Sequence, residues 1–173
     1  MQNDAIHTKK ELRREVLTRR DALSASAREQ ASRAICKKLK DRLAGLNPDS
    51  TVAVYASMKS EVNLEDFIAW CYTKKLTVVF PCMNMKGSTP RMYMRSVEYL
   101  AWQARNVPFI ANPLKRYAED DESISDFPVC APGSIDAVIV PMVAFDSDFQ
   151  RLGYGGGNYD EYLRFVSCET LSG

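Results

Sequence analysis

The sequence predicts an α/β domain, a three-layer sandwich in which a mainly parallel central sheet carries helices on both faces. Two short apolar runs rich in β-branched residues, 51–56 and 76–80, flank a segment with helical periodicity. A strand, a helix and a strand within about 30 residues form a βαβ unit, which requires parallel strands. The chain has 173 residues, a length that suits one core, so we expect a single domain over residues 1–173.

The N-terminal region, residues 8–46, is predicted to form two helices after a frayed start at residues 1–7. From about Thr8, apolar residues recur at the spacing of a helical turn. The second helix is expected to begin at Ser26, because Ser26 and Glu29 match a capping box. The turn 47–50 (NPDS) ends it. Its predicted apolar stripe consists of Ile35, Leu39, Leu43 and Leu46.

Residues 51–166 are predicted to hold the sheet and the site. After the strand 51–56, Asn63 is the expected N-cap of a helix with Glu65 and Asp66 in its first turn. The inward side of that helix is predicted to carry Leu64, Phe67, Ile68 and Cys71. The run 76–80 is the next buried strand, 91–97 a weaker alternating strand, and 135–140 (IDAVIV) another buried strand, with loops at 82–90 and 111–134. The last predicted helix, 158–166, turns inward Tyr159, Tyr162, Leu163 and Val166.

Composition and charge narrow the function classes. A formal net charge of +1 creates no field that would attract nucleic acid or a membrane surface. The five cysteines lie at least 11 positions apart, which argues against a thiolate zinc site and a redox dithiol. No signal peptide and no apolar run of ~20 residues is visible, so we expect a cytoplasmic protein. His7 is the only histidine, which excludes a histidine-based triad.

The sharpest motif is the glycine-rich segment 151–160 (RLGYGGGNYD), which holds four of the eight glycines of the chain. Glycine permits positive φ and lets a ligand approach the backbone amides. The segment leads into a predicted helix, whose first N–H groups favour phosphate. Arg151 adds donors that suit phosphate oxygens, and Asp160 can hold a magnesium ion. The segment therefore predicts a nucleotide-phosphate site.

Two better-known phosphate loops fit this segment poorly. A P-loop requires a Lys-Ser or Lys-Thr pair after its glycines, and none follows here. A dinucleotide fingerprint requires glycine at the position of Asn158 and should follow the first strand of a βαβ unit. The alternative without a ligand is a tight turn rich in glycine.

Two further features point to ligand binding only in combination with that loop. Lys9 and Arg13 are four positions apart and share one face of the first helix, with Arg20 close to the same line. Taken alone, this is a solvated charged face. Glu61 follows the strand 51–56, and ligands of parallel sheets collect beyond the carboxyl ends of strands. A surface glutamate in a loop is the alternative.

Together these motifs resemble the 5-formyltetrahydrofolate cyclo-ligase family. Residues 9–13 (KKELR) match the family's K-x-x-[LI]-R, and residues 52–61 (VAVYASMKSE) match its early strand and substrate loop. Residues 141–146 (PMVAFD) and 151–160 match its hallmark, P-x-x-x-F-D followed by R-[LI]-G-x-G-x-G-[YF]-Y-D. The resemblance covers about residues 8–166, which is nearly the whole chain.

The resemblance implies an ATP- and Mg²⁺-dependent ring closure. ATP phosphorylates the formyl oxygen of 5-formyltetrahydrofolate, N10 attacks the activated carbon, and phosphate leaves as 5,10-methenyltetrahydrofolate forms. By position, it implies Arg151 as the catalytic residue and Asp160 as the metal ligand. It implies ATP binding by Lys9, Lys10, Arg13, Arg151, Leu152, Gly153, Tyr154, Gly155, Gly156, Gly157, Asn158 and Tyr159. It implies substrate binding by Ala56, Glu61, Tyr154, Gly155, Gly156, Gly157 and Asn158.

Three positions depart from the family pattern. Asn158 stands where Tyr or Phe is usual, which weakens stacking on folate, and Asn112 replaces the glutamate of a Glu-Pro pair. Family members usually continue past the position of Gly173 with another strand, which is expected to be missing here. Because of these departures a second hypothesis stays open, in which the protein is a catalytically weak folate- or nucleotide-binding relative of the family. A third is another phosphoryl-transfer enzyme that uses the same loop.

Overall fold

The structure, a computed structural model, describes residues 8–166. The predicted frayed start, His7 and Cys168 lie outside this range. Within it the helices are α1 (Lys9–Asp21), α2 (Ala25–Arg42), α3 (Glu65–Thr73), α4 (Tyr99–Gln103), α5 (Pro108–Ala111) and α6 (Asn158–Tyr162). The strands are β1 (Thr51–Ala53), β2 (Thr77–Asn84), β3 (Met92–Ser96), β4 (Arg116–Tyr117), β5 (Val129–Cys130), β6 (Ala137–Val138), β7 (Ala144–Phe145) and β8 (Arg151–Leu152). Single 3₁₀ turns cover Glu122–Ile124, Pro132–Ser134 and Leu163–Phe165.

The main sheet has the strand order β5-β3-β2-β1-β6, with β4 also paired to β2. Strand β1 runs parallel to both β2 and β6, so Val52 faces Val78 on one side and Ala137 on the other. Strand β4 is parallel to β2, whereas β3 is antiparallel to β2 and to β5. The βαβ unit β1-α3-β2 and the mixed α/β sheet with a parallel centre confirm the predicted fold class.

Successive residues of the central strands point to opposite faces of the sheet. Val52 and Val78 join one hydrophobic cluster, together with Phe67 of α3 and Phe109 of α5. Their neighbours Ala53 and Val79 join the second cluster, with Met92, Met94 and Tyr162 of α6. Helices therefore cover both faces, and each apolar run is buried on both sides as a central strand requires.

The helix boundaries correct two predictions. The second helix begins one residue before Ser26, and Ser24 is its cap, because the Ser24 hydroxyl accepts from the amide of Ala27. The capping box belongs to the first helix, where Thr8 and Glu11 bond each other's backbone amides. In α3 the cap position falls on Leu64, although Asn63 Oδ1 still accepts from the amide of Glu65 at 2.9 Å.

Burial along the helices is partly as predicted. All four inward positions predicted for α3 are buried, and so is Tyr162 of α6. In α2 the predicted stripe is shifted, because Ile35 is exposed and Cys36 is fully buried. Helix α1 has no buried residue at all, and its Leu12 is exposed. This helix is held by contacts other than an apolar face.

The strands differ in length from the predicted runs. Strand β2 continues through Asn84 into the predicted loop 82–90, whereas β1 and β6 cover only part of 51–56 and 135–140. The region 111–134, predicted as a loop, contains β4 and β5. Next to the glycine-rich segment, β7 and β8 form an antiparallel hairpin that pairs Phe145 with Arg151. Among the described residues, no helix is long and apolar enough to cross a membrane.

Candidate functional site

A cavity of about 610 Å³ opens where the carboxyl ends of β1, β2 and β6 meet. Helix α1 forms one wall, the segment 55–61 after β1 forms the next, and the glycine-rich segment 151–160 forms the third. Such an edge is where parallel sheets bind ligands. Every predicted site residue except Lys10 lines this cavity, so the structure brings together motifs from both ends of the described chain, from Lys9 to Asp160. Lys10 is exposed on α1, and its role stays a prediction.

Helix α1 reaches the cavity through two arginines. Arg13 donates from Nε to the carbonyl of Gly153 at 2.7 Å. Arg20, two turns further along, donates from Nε to Ser60 at 3.0 Å and from Nη2 to the hydroxyl of Tyr154 at 2.6 Å. Lys9 lines the cavity, and its side chain makes no hydrogen bond or ion pair within the described residues. The polar face of α1 is thus turned to the cavity and explains why the helix needs no apolar stripe.

The loop after β1 holds a carboxylate that is only partly satisfied. Glu61 Oε2 accepts from the amide of Met58 at 2.8 Å, which closes the loop on itself. Glu61 Oε1 is buried and has no hydrogen-bond partner among the described residues. The hydroxyl of Tyr159 is buried and unpartnered in the same sense. Buried polar atoms without partners are costly, and these two differ from the other unpartnered atoms, those of Arg95, Tyr117 and Tyr162, in belonging to residues that line the cavity.

The glycine-rich segment is shaped by backbone conformations that favour glycine. Gly155 has φ +97° and Gly157 has φ +68°, both in the left-handed region. A Cβ on Gly155 would lie 3.5 Å from the guanidinium carbon of Arg13. The backbone amides from Tyr154 to Gly157 find no acceptor within residues 8–166. These free amides lie close to the cationic side chains of Arg13 and Arg91. Such an arrangement suits an anion such as phosphate.

Arg151 and Asp160 face each other across this segment. Arg151 Nη2 pairs with Asp160 Oδ1, and the arginine is mostly buried while the carboxylate is mostly exposed. The second carboxylate oxygen has no partner among the described residues, so Asp160 can coordinate a cation while it remains paired. The described residues contain no cluster of three acidic, histidine or cysteine side chains. Magnesium is commonly held by one or two carboxylates and the phosphates of a nucleotide, and this donor set suits that mode.

The charge of Glu61 acts on three nearby tyrosines, Tyr55, Tyr154 and Tyr159, and burial is the main cause of the raised pKa of each. Burial raises the pKa of Tyr154 to about 12, with the hydrogen bond from Arg20 acting in the opposite direction and Glu61 in the same one. The pKa of Tyr159 is also raised, first by burial and then by the negative charge of Glu61. The same two causes raise the pKa of Tyr55. All three therefore keep their hydroxyl protons at neutral pH and are available as hydrogen-bond donors.

Several residues of the site carry no clear sequence signal. In the sequence, Arg20 belongs only to a charged helix face, and Arg91 only begins a weakly predicted strand. Arg91 donates from Nη1 to the carbonyl of Gly156 at 2.9 Å. Asn158 packs against Met83, with 3.8 Å between Nδ2 and the sulfur. The 65 and 75 positions that separate these pairs are why local patterns do not reveal them.

Comparison with known proteins gives consistent matches. A family model described as the 5-formyltetrahydrofolate cyclo-ligase family matches residues 5–172. A 5-formyltetrahydrofolate cyclo-ligase of Mycoplasma pneumoniae is 27% identical over 159 residues, which are 90% of this chain and 76% of that protein. The enzyme of the same name from Mus musculus is 26% identical over 157 residues, covering 90% of this chain and 73% of that protein.

Two solved structures share the fold. A 5,10-methenyltetrahydrofolate synthetase from Mycoplasma pneumoniae superposes with a TM-score of 0.69 at 23% identity, over 93% of this chain and 80% of that one. The 5,10-methenyltetrahydrofolate synthetase of Aquifex aeolicus gives a TM-score of 0.64 at 26% identity, over 92% of this chain and 74% of that one.

Proposed function

The chain belongs to the 5-formyltetrahydrofolate cyclo-ligase family, and we propose that it converts 5-formyltetrahydrofolate and ATP to 5,10-methenyltetrahydrofolate, ADP and phosphate. One observation supports this proposal above the others. A cationic helix face, a glycine-rich loop with free amides and a partly unsatisfied glutamate line one cavity. The first two features suit a triphosphate, and the third suits a ring that presents N–H groups.

We assign the phosphate end of ATP to the wall formed by α1 and the glycine-rich segment. Lys9, Arg13 and Arg151 supply positive charge there, and the amides of Tyr154 to Gly157 supply donors without a charge of their own. Phosphoryl transfer depends mainly on positioning and on neutralising the charge that spreads over the phosphate oxygens. Arg151 is the proposed catalytic residue because it lies beside both the loop and Asp160.

We assign magnesium to Asp160. The nucleotide phosphates would supply the other ligands of the ion. The cation would bind the second carboxylate oxygen, so that Arg151 stays paired with Asp160 beside the phosphates. When bound, MgATP supplies the phosphoryl group that activates the formyl oxygen for attack by N10.

We assign the pterin ring to the space between Glu61, Ala56 and the tyrosines. Glu61 Oε1 is a buried acceptor that lacks a donor, and the aminopyrimidinone edge of a pterin offers N–H donors. Tyr159 keeps its proton and can donate to a ring or formyl oxygen. Tyr154, exposed at 44%, lies where it can cover the bound substrate.

The proposal is tested by mixing the protein with ATP, Mg²⁺ and 5-formyltetrahydrofolate and following the absorbance of 5,10-methenyltetrahydrofolate. We expect product with wild type and a loss of about 100-fold or more in kcat/KM for Arg151→Ala. Arg164→Ala, an exposed arginine just beyond α6, is the matched control and should keep wild-type activity.

The other two hypotheses predict different results in the same assay. A catalytically weak relative would form no product, yet 5-formyltetrahydrofolate would still raise its melting temperature. A different phosphoryl-transfer enzyme would hydrolyse ATP, or transfer its phosphoryl group, at a rate that does not depend on the concentration of 5-formyltetrahydrofolate.

A further inference from the structure

Two carbonyl groups within the glycine-rich segment are each held by an arginine from another part of the chain. Arg13 of α1 holds the carbonyl of Gly153, and Arg91, which precedes β3, holds the carbonyl of Gly156. The two arginines approach the loop from different elements. Only Arg13 belongs to a motif that the sequence singled out.

Arg91 is itself fixed by a single carboxylate. Glu161 Oε1 accepts from the backbone amide of Arg91 at 3.0 Å, and Glu161 Oε2 lies 2.9 Å from Arg91 Nε. A charged bond at Nε and a bond at the amide of the same residue leave the guanidinium little freedom. Its Nη1 then lies 2.9 Å from the Gly156 oxygen and 3.4 Å from the place where a Cβ on Gly157 would be.

The bond to a carbonyl also decides where the next amide points. In a planar trans peptide, the C=O of one residue and the N–H of the next point in opposite directions. Because the Gly156 carbonyl is turned to Arg91, the N–H of Gly157 is turned away from that arginine. This N–H has no acceptor among the described residues, and Gly157 lines the cavity.

From this geometry we infer that Arg91 is a positioning residue for nucleotide binding, which fixes the Gly156–Gly157 peptide so that the Gly157 amide can donate to a phosphate oxygen. The inference rests on the proposed function in that it assigns the ATP phosphates to this loop. It adds a residue that lies outside the family motifs. It also explains why Arg91 bonds to both the Gly156 carbonyl and the Glu161 carboxylate. Arg91 acts through the loop and is not a catalytic residue.

The test is isothermal titration of MgATP into wild type, Arg91→Ala, Arg91→Lys and Arg116→Ala, in the absence of folate. Arg116 is the matched control, because its Nη1 also donates to a backbone carbonyl, that of Asn84 at 2.8 Å, but Asn84 does not line the cavity whereas Gly156 does. We expect Arg91→Ala to weaken ATP binding about tenfold and Arg91→Lys to restore about half of that loss on a logarithmic scale. Arg116→Ala should bind ATP as wild type does.

Steady-state kinetics supply a second measurement that a general structural defect would not reproduce. The KM for ATP should rise in Arg91→Ala while the KM for 5-formyltetrahydrofolate stays within about twofold of wild type. Arg91 is half exposed, so we expect the variant to fold with an unchanged melting temperature.

The outcomes separate this inference from the proposed function. Wild-type affinity for ATP in Arg91→Ala, or an equal rise of both KM values, overturns the inference even if the wild type makes product. Arginine-dependent ATP binding without product formation would refute the proposed cyclo-ligase activity and support the inference. Absence of ATP binding by the wild type would overturn both.

Discussion

Arg20 donates a hydrogen bond of 2.6 Å to the hydroxyl of Tyr154, and its guanidinium also lies 5.7 Å from the centre of the Tyr154 ring. The two residues are 134 positions apart. The bond ties the C-terminal half of α1 to the glycine-rich segment, and a second bond from Arg20 ties it to Ser60 in the Glu61 loop. One side chain thus connects all three walls of the cavity.

Removal of the Tyr154 hydroxyl should loosen α1 without unfolding the protein. In Tyr154→Phe the ring stays but one hydrogen bond to a charged group is lost, which we expect to lower the free energy of opening α1 by about 1–2 kcal/mol. Hydrogen exchange of the α1 amides should therefore accelerate. Tyr99→Phe is the control, because Tyr99 is equally exposed but lies away from the cavity. Equal exchange in both variants would contradict the role of the Arg20–Tyr154 bond.

The Glu61 charge can be removed with little change of shape. In Glu61→Gln the amide oxygen can still accept from Met58, but the buried negative charge is lost. We expect the KM for 5-formyltetrahydrofolate to rise about tenfold or more and the KM for ATP to change little. Glu29→Gln on the surface of α2 should leave both constants unchanged. A rise in the KM for ATP alone would be evidence against the assignment of Glu61 to the folate.

The buried tyrosines predict a loss of stability at high pH. The pKa of Tyr154 is raised to about 12, first by burial, whereas an unfolded tyrosine titrates near 10. The unfolded chain therefore loses this proton first, so the stabilisation is complete below about pH 10 and declines as the pH rises towards 12. Because Tyr154 is 44% exposed, solvent screens the effect, and we expect the unfolding free energy to fall by well under the ~1.4 kcal/mol per pH unit of a fully buried group.

The pH effect is measured by urea unfolding at several pH values between 8 and 11. Tyr154→Phe should show a shallower decline above pH 10 than wild type, since it has one fewer tyrosine with a raised pKa. An unfolding free energy that stays constant to pH 11 would show that these hydroxyls are not buried in solution.

Gly155 is predicted to tolerate no side chain. Its φ of +97° strains any other residue, and a Cβ would contact the Arg13 guanidinium. Gly155→Ala should cost about 1–2 kcal/mol in local conformation and raise the KM for ATP several-fold. Gly133→Ala is the matched control, because a Cβ there meets nothing within 4 Å and φ is outside the left-handed range. If Gly155→Ala binds ATP as tightly as wild type, the loop does not need this conformation.

The sequence predicted the centre of the fold because the signals there are local. The runs 51–56 and 76–80 are apolar on both faces, which is typical of central parallel strands, and the helix between them has a clear inward side. The clustered glycines likewise marked the loop. Each of these runs, and the glycine-rich segment, is defined by residues within ten positions of each other.

The parts that the sequence did not predict depend on distant contacts. Helices α4 and α5 have five and four residues, too few for a helical period to be visible. Arg95 reads as a surface residue of an alternating strand, yet it is buried and donates to the carbonyl of Phe127 at 2.6 Å. The role of Arg91 depends on Gly156 and Glu161, and no local pattern links them. Such contacts depend on packing between distant segments, which local secondary-structure propensity does not predict.

Helix α1 forms one wall of the cavity and contributes no side chain to either hydrophobic cluster of the described residues. Its side chains therefore face the cavity without adding to the packed core, unlike Met83 and Met92, which belong to a cluster and also line the cavity. A variant altered only on the inner face of α1 would pass a melting assay as native while binding no nucleotide. For such variants we expect the melting temperature to be informative as a comparison between samples with and without ATP, since the proposed role of α1 is in the shift on ligand addition.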